Sequence, residues 1–221
     1  MGQDSVPLII CFGDSLTVGY QTATMASPQV RETPYGRFLQ DRLGARAMVA
    51  VSGLCGETTS DMVVRFRRDV EPHRPAWVVI LGGTNALGWN AAPSEIMHNL
   101  AHMYEQALNR GICPVAVTVP SIRAEGGPED TTPMSTDSAL LAEARRWLAD
   151  HIDRRRVLNR LIMDACAEKE IACIDLFTDT VEPETRQLAA RYSNDGLHLT
   201  TEGYEQLAAL LYERVFAAAC R

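Results

Sequence analysis

Residues 8–15, Leu-Ile-Ile-Cys-Phe-Gly-Asp-Ser, join an apolar run to a glycine, a carboxylate and a hydroxyl. The apolar run predicts a buried strand. Gly, Asp and Ser are common in turns and helix N-caps, so an ordinary turn is one interpretation of its end. The other interpretation is that Ser15 is a nucleophile held where a strand bends into a helix. That interpretation requires a base and an oxyanion site elsewhere in the chain.

Strand and helix patterns alternate along the chain. This alternation, with nearly continuous apolar strands, predicts an α/β fold in which helices cover both faces of a parallel sheet. The five predicted strands are Val6–Phe12, Ala47–Val51, Trp77–Leu81, Pro114–Val119 and Ile171–Leu176. The predicted helices are one that begins at the Thr33-Pro34 cap and ends at Gly44, then Thr58–Val70, Pro93–Arg110, Ala139–Asp150, Asp153–Lys169 and a last one over about residues 200–219.

One segment departs from this alternation. Ser121–Asp137 is a long loop rich in Gly, Pro, Glu and Thr, and it leads into the predicted helix Ala139–Asp150. Loops of that length in compact domains are usually functional or mobile. We therefore expect one domain over residues 1–221, with a loop–helix insertion at 121–150 that forms a wall or lid of the substrate pocket.

Composition limits the partners and the location of the protein. The 221 residues carry a formal net charge of −7 and contain no run of Lys and Arg, which argues against nucleic acid as a partner. No basic segment followed by an apolar stretch opens the chain, so no signal peptide is predicted. The apolar runs are too short to span a bilayer. We expect a cytoplasmic protein without stable membrane insertion, and no pattern in the sequence specifies an oligomeric state.

The six cysteines are scattered and include no C-x-x-C pair. This pattern is typical of reduced, buried thiols and does not suggest a disulfide framework or a zinc site. Cys55 lies near a loop with functional residues, and we expect it to be a buried structural thiol as well.

Polar and glycine residues follow the predicted strands just where each strand ends. In a parallel sheet, ligands bind outside the carboxyl ends of the strands, close to the point where strand order reverses. The four segments are Gly13–Ser15, Ser52–Thr58, Gly82–Asn85 and, before the last helix, Ser193–His198. We expect these segments to meet in one cleft at one edge of the sheet.

The residues in these segments are suited to acyl transfer. His198 is the candidate base for the Ser15 hydroxyl, because histidine gains and loses a proton near neutral pH. Asp195, three residues earlier, is close enough to bond His198 Nδ1 and fix its tautomer. Three donors are available for the oxyanion. They are the backbone N–H groups of Ser15 and Gly53 and the side-chain amide of Asn85.

These blocks resemble the SGNH hydrolases, also called GDSL esterases and lipases. The resemblance extends from residues 12–16, FGDSL, to residues 195–199, DGLHL, and Ser15, Gly53, Asn85 and His198 occur in the family's order. It implies a flavodoxin-like three-layer α/β/α sandwich with five parallel strands. It also implies a serine nucleophile with Asp195 and His198, and no metal or organic cofactor. One departure is Ala86, because many members carry an aspartate after the block's asparagine.

Other residues near the blocks have competing interpretations. Asp14 and Trp89 are the expected substrate-binding residues. Asp14 is also a natural acceptor for nearby backbone N–H groups, and simple loop packing explains Trp89 about as well as an acyl pocket does. His98 and His102 stand four apart on a predicted helix, a spacing that can bind a metal, but an exposed polar face is favoured because no third ligand is evident.

Charged clusters and two further histidines are interpreted as surface features. Residues 145–146 and 154–156 are arginines amid acidic neighbours, which is typical of a solvated helix face. His73 and His151 lie beside charged residues and are expected at the surface.

The sequence therefore predicts a serine esterase of small-molecule substrates. We expect it to hydrolyse short-chain carboxylic esters, including acetylated sugars, through an acyl-enzyme at Ser15. The alternatives are a thioesterase or lysophospholipase-like hydrolase of longer acyl chains and a non-catalytic carbohydrate-binding relative. A nucleotide- or flavin-binding module of the same fold is a weaker alternative, because residues 13–19 match neither G-x-G-x-x-G nor a P-loop.

Overall fold

The structure is a computed structural model that describes residues 6–25, 27–124 and 138–220. Its strands are β1 Leu8–Gly13, β2 Tyr20–Gln21, β3 Arg31–Glu32, β4 Met48–Gly53, β5 Trp77–Leu81, β6 Cys113–Val117 and β7 Ala172–Ile174. Five of them form one parallel sheet in the order β4-β1-β5-β6-β7. β2 and β3 form a separate antiparallel pair that the sequence patterns did not predict. The predicted five-stranded parallel sheet is confirmed.

Helices cover the sheet. They are α1 Ser15–Val18, α2 Tyr35–Leu43, α3 Thr59–Asp69, α4 Thr84–Gly88, α5 Pro93–Asn109, α6 Ser138–Glu168, α7 Leu176–Thr180, α8 Thr201–Leu211 and α9 Ala217–Ala219. Single 3₁₀ turns lie at Gly44–Arg46, Glu71–His73 and Ala190–Tyr192, and a π-helical turn at Tyr212–Phe216 joins α8 to α9. The prediction of separate helices over 139–150 and 153–169 was wrong, because α6 is continuous through both.

Alternate residues of the central strands pack against opposite helical layers, as the period of a strand requires. In β1, Ile9 and Cys11 belong to the core formed with α2 and α8. Ile10 and Phe12 belong to the core formed with α3, α5 and α6. Both faces of the central strands are therefore buried, which is the reason that these strands are apolar at successive positions. This arrangement is the α/β/α sandwich of flavodoxin-like topology.

The starts of the predicted helices Thr58–Val70 and Pro93–Arg110 agree with the structure, whereas the predicted cap at Thr33 does not. Thr58 caps α3 in a reciprocal capping box with Asp61, and proline begins α5 at residue 93. Thr33 is not a helix cap, because α2 starts after Pro34. The Thr33 hydroxyl instead accepts a hydrogen bond from the side chain of Gln21.

The strand order places the serine turn at a topological switch point. β1 lies between β4 and β5, so the connections that leave β1 and β5 diverge to opposite sides of the sheet. The crevice between their carboxyl ends is where open parallel sheets bind ligands. The chain after β1 carries Ser15, and the chain after β5 carries Asn85, so both residues lie at this crevice.

A buried amide joins α6 to the chain that leaves β6. Asn159 accepts the Val119 N–H at 2.8 Å and donates to the Val119 carbonyl at 2.9 Å. Beyond it, Ile122 packs with Leu148, Ile152 and Phe177 in a third small apolar cluster. Residues 125–137, and with them most of the predicted loop Ser121–Asp137, lie outside the described residues.

Two sequence expectations concern membranes and cysteines. Within the described ranges, none of the helices combines the length and apolar character that crossing a membrane requires. All six cysteines are free, and Cys11, Cys166 and Cys220 are buried. The prediction that Cys55 is buried was wrong, because it lies exposed in the turn that follows the edge strand β4.

Candidate active site

Ser15 begins a single helical turn directly after β1. The carboxylate of Asp14 accepts the Leu16 N–H at 3.0 Å, and the Asp14 carbonyl accepts the N–H groups of Thr17 and Val18. These bonds hold the turn after a strand end where only glycine fits. A Cβ at Gly13 would lie 2.2 Å from a backbone oxygen of β5. The sharp bend thus leaves Ser15 at the tip of the strand, as the sequence predicted.

The Ser15 hydroxyl heads an unbroken chain of hydrogen bonds. Ser15 Oγ lies 3.1 Å from His198 Nε2, and His198 Nδ1 lies 2.8 Å from Asp195 Oδ2. The other carboxylate oxygen of Asp195 accepts the backbone N–H groups of Leu197 and His198 at 2.9 and 2.8 Å. Each ring nitrogen of His198 therefore has one fixed partner. Serine, histidine and aspartate in this order form the arrangement that activates a serine hydroxyl.

The loop that carries Asp195 and His198 is tightly constrained. Gly196 has φ +81°, and a Cβ there would lie 2.5 Å from the carbonyl of Arg123, so glycine is required. Burial by itself would raise the pKa of Asp195. The bonds from the His198 ring and from the two backbone N–H groups outweigh burial and hold the pKa below its ordinary value. The carboxylate beside the imidazole is therefore ionised throughout the neutral range.

The three predicted oxyanion donors lie around the serine turn. A Cβ at Gly53 would approach Val18 N to 2.7 Å and the Asp14 carbonyl to 3.0 Å, so the backbone of Gly53 packs directly on that turn. Asn85 Nδ2 donates to the Glu57 carbonyl at 2.8 Å, which fixes the amide. Its second contact, to Asp14 Oδ2, is long at 3.4 Å.

Asp14 does not have the substrate-binding position that the sequence suggested. Its carboxyl is fully buried under the serine turn, where it bonds Leu16 and Asn85. Its predicted role as an acceptor for backbone N–H groups is the one observed. Burial is the main cause that raises the pKa of this carboxyl to about 6, against the lowering effect of the Leu16 N–H.

A buried ionic network, which the sequence analysis did not predict, holds the residues that precede the serine turn and the β4–α3 loop. Arg65 Nε donates to both carboxylate oxygens of Glu57 at 2.8 and 2.9 Å, and Arg65 Nη2 donates to the Gly13 carbonyl at 2.9 Å. Its guanidinium also bonds Asp69 and covers the ring of Phe12. The signal in the sequence was an arginine at a core-facing position of α3, between Met62 and Phe66.

A cavity of about 370 Å³ opens beside the hydrogen-bond chain. Its walls combine apolar and cationic groups, and Trp89 lies at its rim with 80% of its surface exposed. The lining residues that matter most here are Asn85, Trp89, Ile122, Trp147, Arg155 and Leu197. The proposed pocket role of Trp89 is therefore compatible with its position, whereas Asp14 has no surface at the cavity.

Two interpretations of charged residues were wrong. His151 is buried, with its ring stacked on Trp147 at 3.9 Å between centroids, so it is not a surface residue. Arg155 is also buried, so the arginines at 154–156 are not uniformly a solvated face. Both residues are buried because α6 packs against the chain after β6 and these two positions line the cavity between them.

The histidines of the alternative metal site lie exposed on α5. The side chains of His98 and His102 are both exposed there. Across residues 6–25, 27–124 and 138–220, no group of three or more His, Cys, Asp and Glu side chains is arranged to hold a metal ion.

Comparison with known proteins gives a family and one curated relative. The sequence model of the GDSL-like Lipase/Acylhydrolase family matches residues 11–206. The chain is 27% identical over 217 residues to a protein of Bacillus subtilis (strain 168) named uncharacterized lipoprotein YqeF, with 94% of this chain and 87% of the relative covered.

Solved structures share the fold. A crystal structure of a GDSL-like lipase from Bacteroides thetaiotaomicron has a TM-score of 0.73 and 23% identity, and covers 98% of this chain and 91% of its own. A carbohydrate acetylesterase, Est24 from Sinorhizobium meliloti, has a TM-score of 0.70 and 20% identity, with 96% and 99% covered. At these identities the likeness concerns the fold.

Proposed function

This chain belongs to the GDSL-like lipase/acylhydrolase family of the SGNH hydrolase superfamily, and from that premise we propose that it hydrolyses carboxylic esters through an acyl-enzyme at Ser15. Membership in the family supports a hydrolase that acts on esters. The observation that supports the covalent route is the unbroken chain from Ser15 Oγ through the His198 ring to Asp195. A hydroxyl activated in this way is the usual nucleophile of acyl transfer.

In the first half-reaction, Ser15 Oγ attacks the ester carbonyl carbon while His198 Nε2 takes the hydroxyl proton. The carbonyl oxygen becomes an oxyanion, which the N–H groups of Ser15 and Gly53 and the amide of Asn85 stabilise. The carbon–oxygen bond to the alcohol then breaks, and His198 gives its proton to the departing alkoxide. Asp195 stabilises the imidazolium that exists between these two proton transfers.

In the second half-reaction, water repeats the attack on the acyl-enzyme. His198 takes a proton from the water, the hydroxide adds to the acyl carbon, and Ser15 leaves with that proton restored. The products are a carboxylic acid and the free enzyme. Losing one oxyanion donor typically lowers turnover by about 10²–10³-fold, so Asn85 and Gly53 are the residues whose alteration we expect to be costly after the triad.

We assign the acyl group of the substrate to the cavity beside Asn85. Its volume is at the lower end of the range for small-molecule sites, which supports short-chain esters over long acyl chains. Acetylated carbohydrates are one such class, and the Sinorhizobium structure of the same fold is a carbohydrate acetylesterase. A thioesterase or lysophospholipase-like activity on longer chains is the second candidate. The cytoplasmic location and the single-domain organisation stay predictions.

The test is turnover of p-nitrophenyl acetate and labelling by a fluorophosphonate probe. Ser15→Ala is expected to abolish labelling and to lower kcat by about 10⁴-fold or more, with His198→Ala comparably damaging because triad members act as a unit. Asp195→Asn should lower kcat by about 10³–10⁴-fold, since the ring would lose its correct tautomer.

The matched control is Ser94→Ala, a change at an exposed serine on α5 that should label and turn over like the wild type. If Ser15→Ala keeps its activity, the nucleophile is misassigned. A wild type that neither labels nor turns over any ester would favour the non-catalytic relative.

A further inference from the structure

Arg155 is a buried cation at the wall of the cavity. Only 2% of its surface is exposed, yet its side chain borders the same cavity as Asn85 and Leu197. Its Nη1 donates to the His151 carbonyl at 3.3 Å, and its Nε has no hydrogen-bond partner. Among the described residues, no carboxylate forms an ion pair with it.

The neighbouring charges are all engaged elsewhere. Arg154 donates to the carbonyls of Leu87 and Ala91, and Arg156 pairs with Asp153. Of the other charged residues at the cavity, Arg123 pairs with Glu182 and Asp195 bonds His198. Within the described part of the chain, Arg155 is thus the cavity-lining cation that has no counter-ion.

Arg155 is nevertheless protonated at neutral pH. Burial, with a smaller contribution from the nearby Arg154, lowers the pKa of its guanidinium to about 10. A buried charge without a partner costs several kcal/mol of stability in general, whereas an apolar side chain of similar volume at the same place costs nothing comparable. A binding role explains why a cation is kept there.

We propose that Arg155 binds a carboxylate of the substrate, so that the preferred esters carry a second, negatively charged group on the part that enters the cavity. The planar guanidinium matches a carboxylate with two parallel hydrogen bonds. Asn85 borders both the serine turn and the cavity. When the ester carbonyl of a substrate lies at Ser15, the part of the substrate next to that carbonyl therefore extends into the cavity. With the acyl group assigned to the cavity, the substrate is a half-ester of a short dicarboxylic acid. This inference rests on the proposed function.

The overall charge of the protein makes the proposal specific to this residue. With a formal net charge of −7, the chain as a whole repels anions. A preference for an anionic ester therefore needs a local cation, and long-range attraction is not an alternative cause.

The experiment compares anionic esters with neutral esters of similar shape. On the acyl side, monoethyl glutarate is compared with ethyl pentanoate by pH-stat titration. On the alcohol side, 4-acetoxybenzoate is compared with 4-acetoxybenzamide by absorbance of the phenol. We expect wild-type kcat/KM to favour the anionic member of the acyl pair by about 10- to 100-fold, the worth of a charge-assisted hydrogen bond.

Three variants assign the preference to its source. Arg155→Met should remove the preference by lowering kcat/KM for the anionic ester about 10- to 100-fold relative to its neutral partner, and should leave Tm equal or higher because an unpaired buried charge is gone. Arg155→Lys should keep part of the preference, since the charge remains without the planar fork. Arg160→Met, the same change at an exposed position of α6, should match the wild type.

The outcomes separate this inference from the proposed function. A preference confined to the alcohol pair and lost in Arg155→Met supports the carboxylate site and reassigns the cavity to the alcohol. Equal wild-type rates on both members of both pairs overturn the inference while the esterase stands. A preference that persists in a folded Arg155→Met protein also overturns it. If Arg155→Met does not fold, two measurements still test the inference. They are the ratio of kcat/KM for anionic and neutral esters in the wild type, and the reduction of that ratio in Arg155→Lys.

Discussion

The buried carboxyl of Asp14 makes the stability of this protein depend on pH at a single residue. Raising its pKa from 3.8 to about 6 means that ionising Asp14 in the folded protein costs about 3 kcal/mol more than ionising it in the unfolded chain. The group is neutral in the folded protein at pH 4 and charged at pH 7. Because the folded state holds this proton more tightly than the unfolded chain does, the contribution of Asp14 to the free energy of unfolding falls as pH rises from about 4 to 6.

Asp14→Asn removes that dependence. The amide introduced at residue 14 brings an N–H₂ group next to the Asn85 amide nitrogen, which donates to Asp14 in the wild type. This loss of a hydrogen bond lowers the free energy of unfolding by an amount that does not change with pH, because an amide does not titrate in this range. The difference in unfolding free energy, variant minus wild type, should therefore rise by about 2–2.5 kcal/mol between pH 4 and pH 7. Thermal or urea unfolding at both pH values measures it. Asp41→Asn, at an exposed carboxylate on α2, is the control that should show no such trend. A flat difference for Asp14→Asn would mean that this carboxyl is not neutral at pH 4.

At the residue scale, the sequence predicted that Ser15, Asp195 and His198 lie together, which their hydrogen bonds show, but it did not predict the burial of the residues around them. Ser15, Asp195 and His198 occur in short motifs whose local geometry is set by glycines and turns, so their meeting followed from strand ends alone. The burial of His151 and Arg155, and the exposure of Cys55, depend on which segments pack over them. The types of the residues next to them in the sequence do not reveal whether these three side chains are buried or exposed.

At the scale of the element, Arg65 of α3 holds the side chain of Glu57, and the Glu57 carbonyl holds Asn85, the proposed oxyanion donor. The side chains of Arg65 and Glu57 are 6% and 9% exposed, so removing one partner leaves a buried charge alone. We expect Arg65→Met to destabilise the fold by about 3–5 kcal/mol. The Glu57 backbone, whose carbonyl fixes Asn85, should shift as well. kcat should then fall about tenfold or more at a temperature where the protein is still folded, with KM nearly unchanged.

Arg68→Met is the matched control for this element. Arg68 lies on the same helix and pairs with Asp69, but it is exposed, and exposed pairs contribute little to stability because solvent screens them. Its kcat should equal that of the wild type. If Arg65→Met loses stability while the folded fraction retains full kcat, the network is structural and does not position Asn85.

Elements with internal signals were predicted well, and boundaries without signals were not. The capping box at Thr58 and the proline at 93 marked true helix starts. No glycine or proline interrupts residues 138–168, and nothing in the pattern justified a break near residue 151, so α6 runs on. β2 and β3 are two residues each, too short for an alternating pattern to register.

At the scale of the whole molecule, the strand topology brings together motifs that are far apart in the sequence. Ser15 and His198 are 183 residues apart, and they meet because parallel strands end at the same edge and the order reverses beside β1. The cavity wall is different in origin, since it is formed where α6 and the chain after β6 pack together. No local pattern in the sequence specifies that packing, and for this reason the substrate was harder to predict than the reaction.

The depth of that cavity leads to a prediction about acyl chain length. Ile122 is 5% exposed, lines the cavity and belongs to the small cluster with Leu148 and Phe177. We expect wild-type activity on p-nitrophenyl esters from C2 to C12 to peak at C2–C6. Ile122→Ala should move the optimum to longer chains, because the removed side chain widens the wall. It should also cost about 2–5 kcal/mol of stability.

Ile112→Ala separates the two effects. Ile112 is 3% exposed and lies in the core formed with α3, α5 and α6, away from the residues that line the cavity. The same truncation there should lower the free energy of unfolding by a similar amount without changing the preferred acyl chain length. A wild-type optimum at C8 or beyond would instead favour the hydrolase of longer chains. An unchanged optimum in a folded Ile122→Ala protein would mean that the acyl group does not enter this cavity, and the alcohol would then be its occupant. Either result is decided by the position of the optimum, which loss of stability alone does not shift.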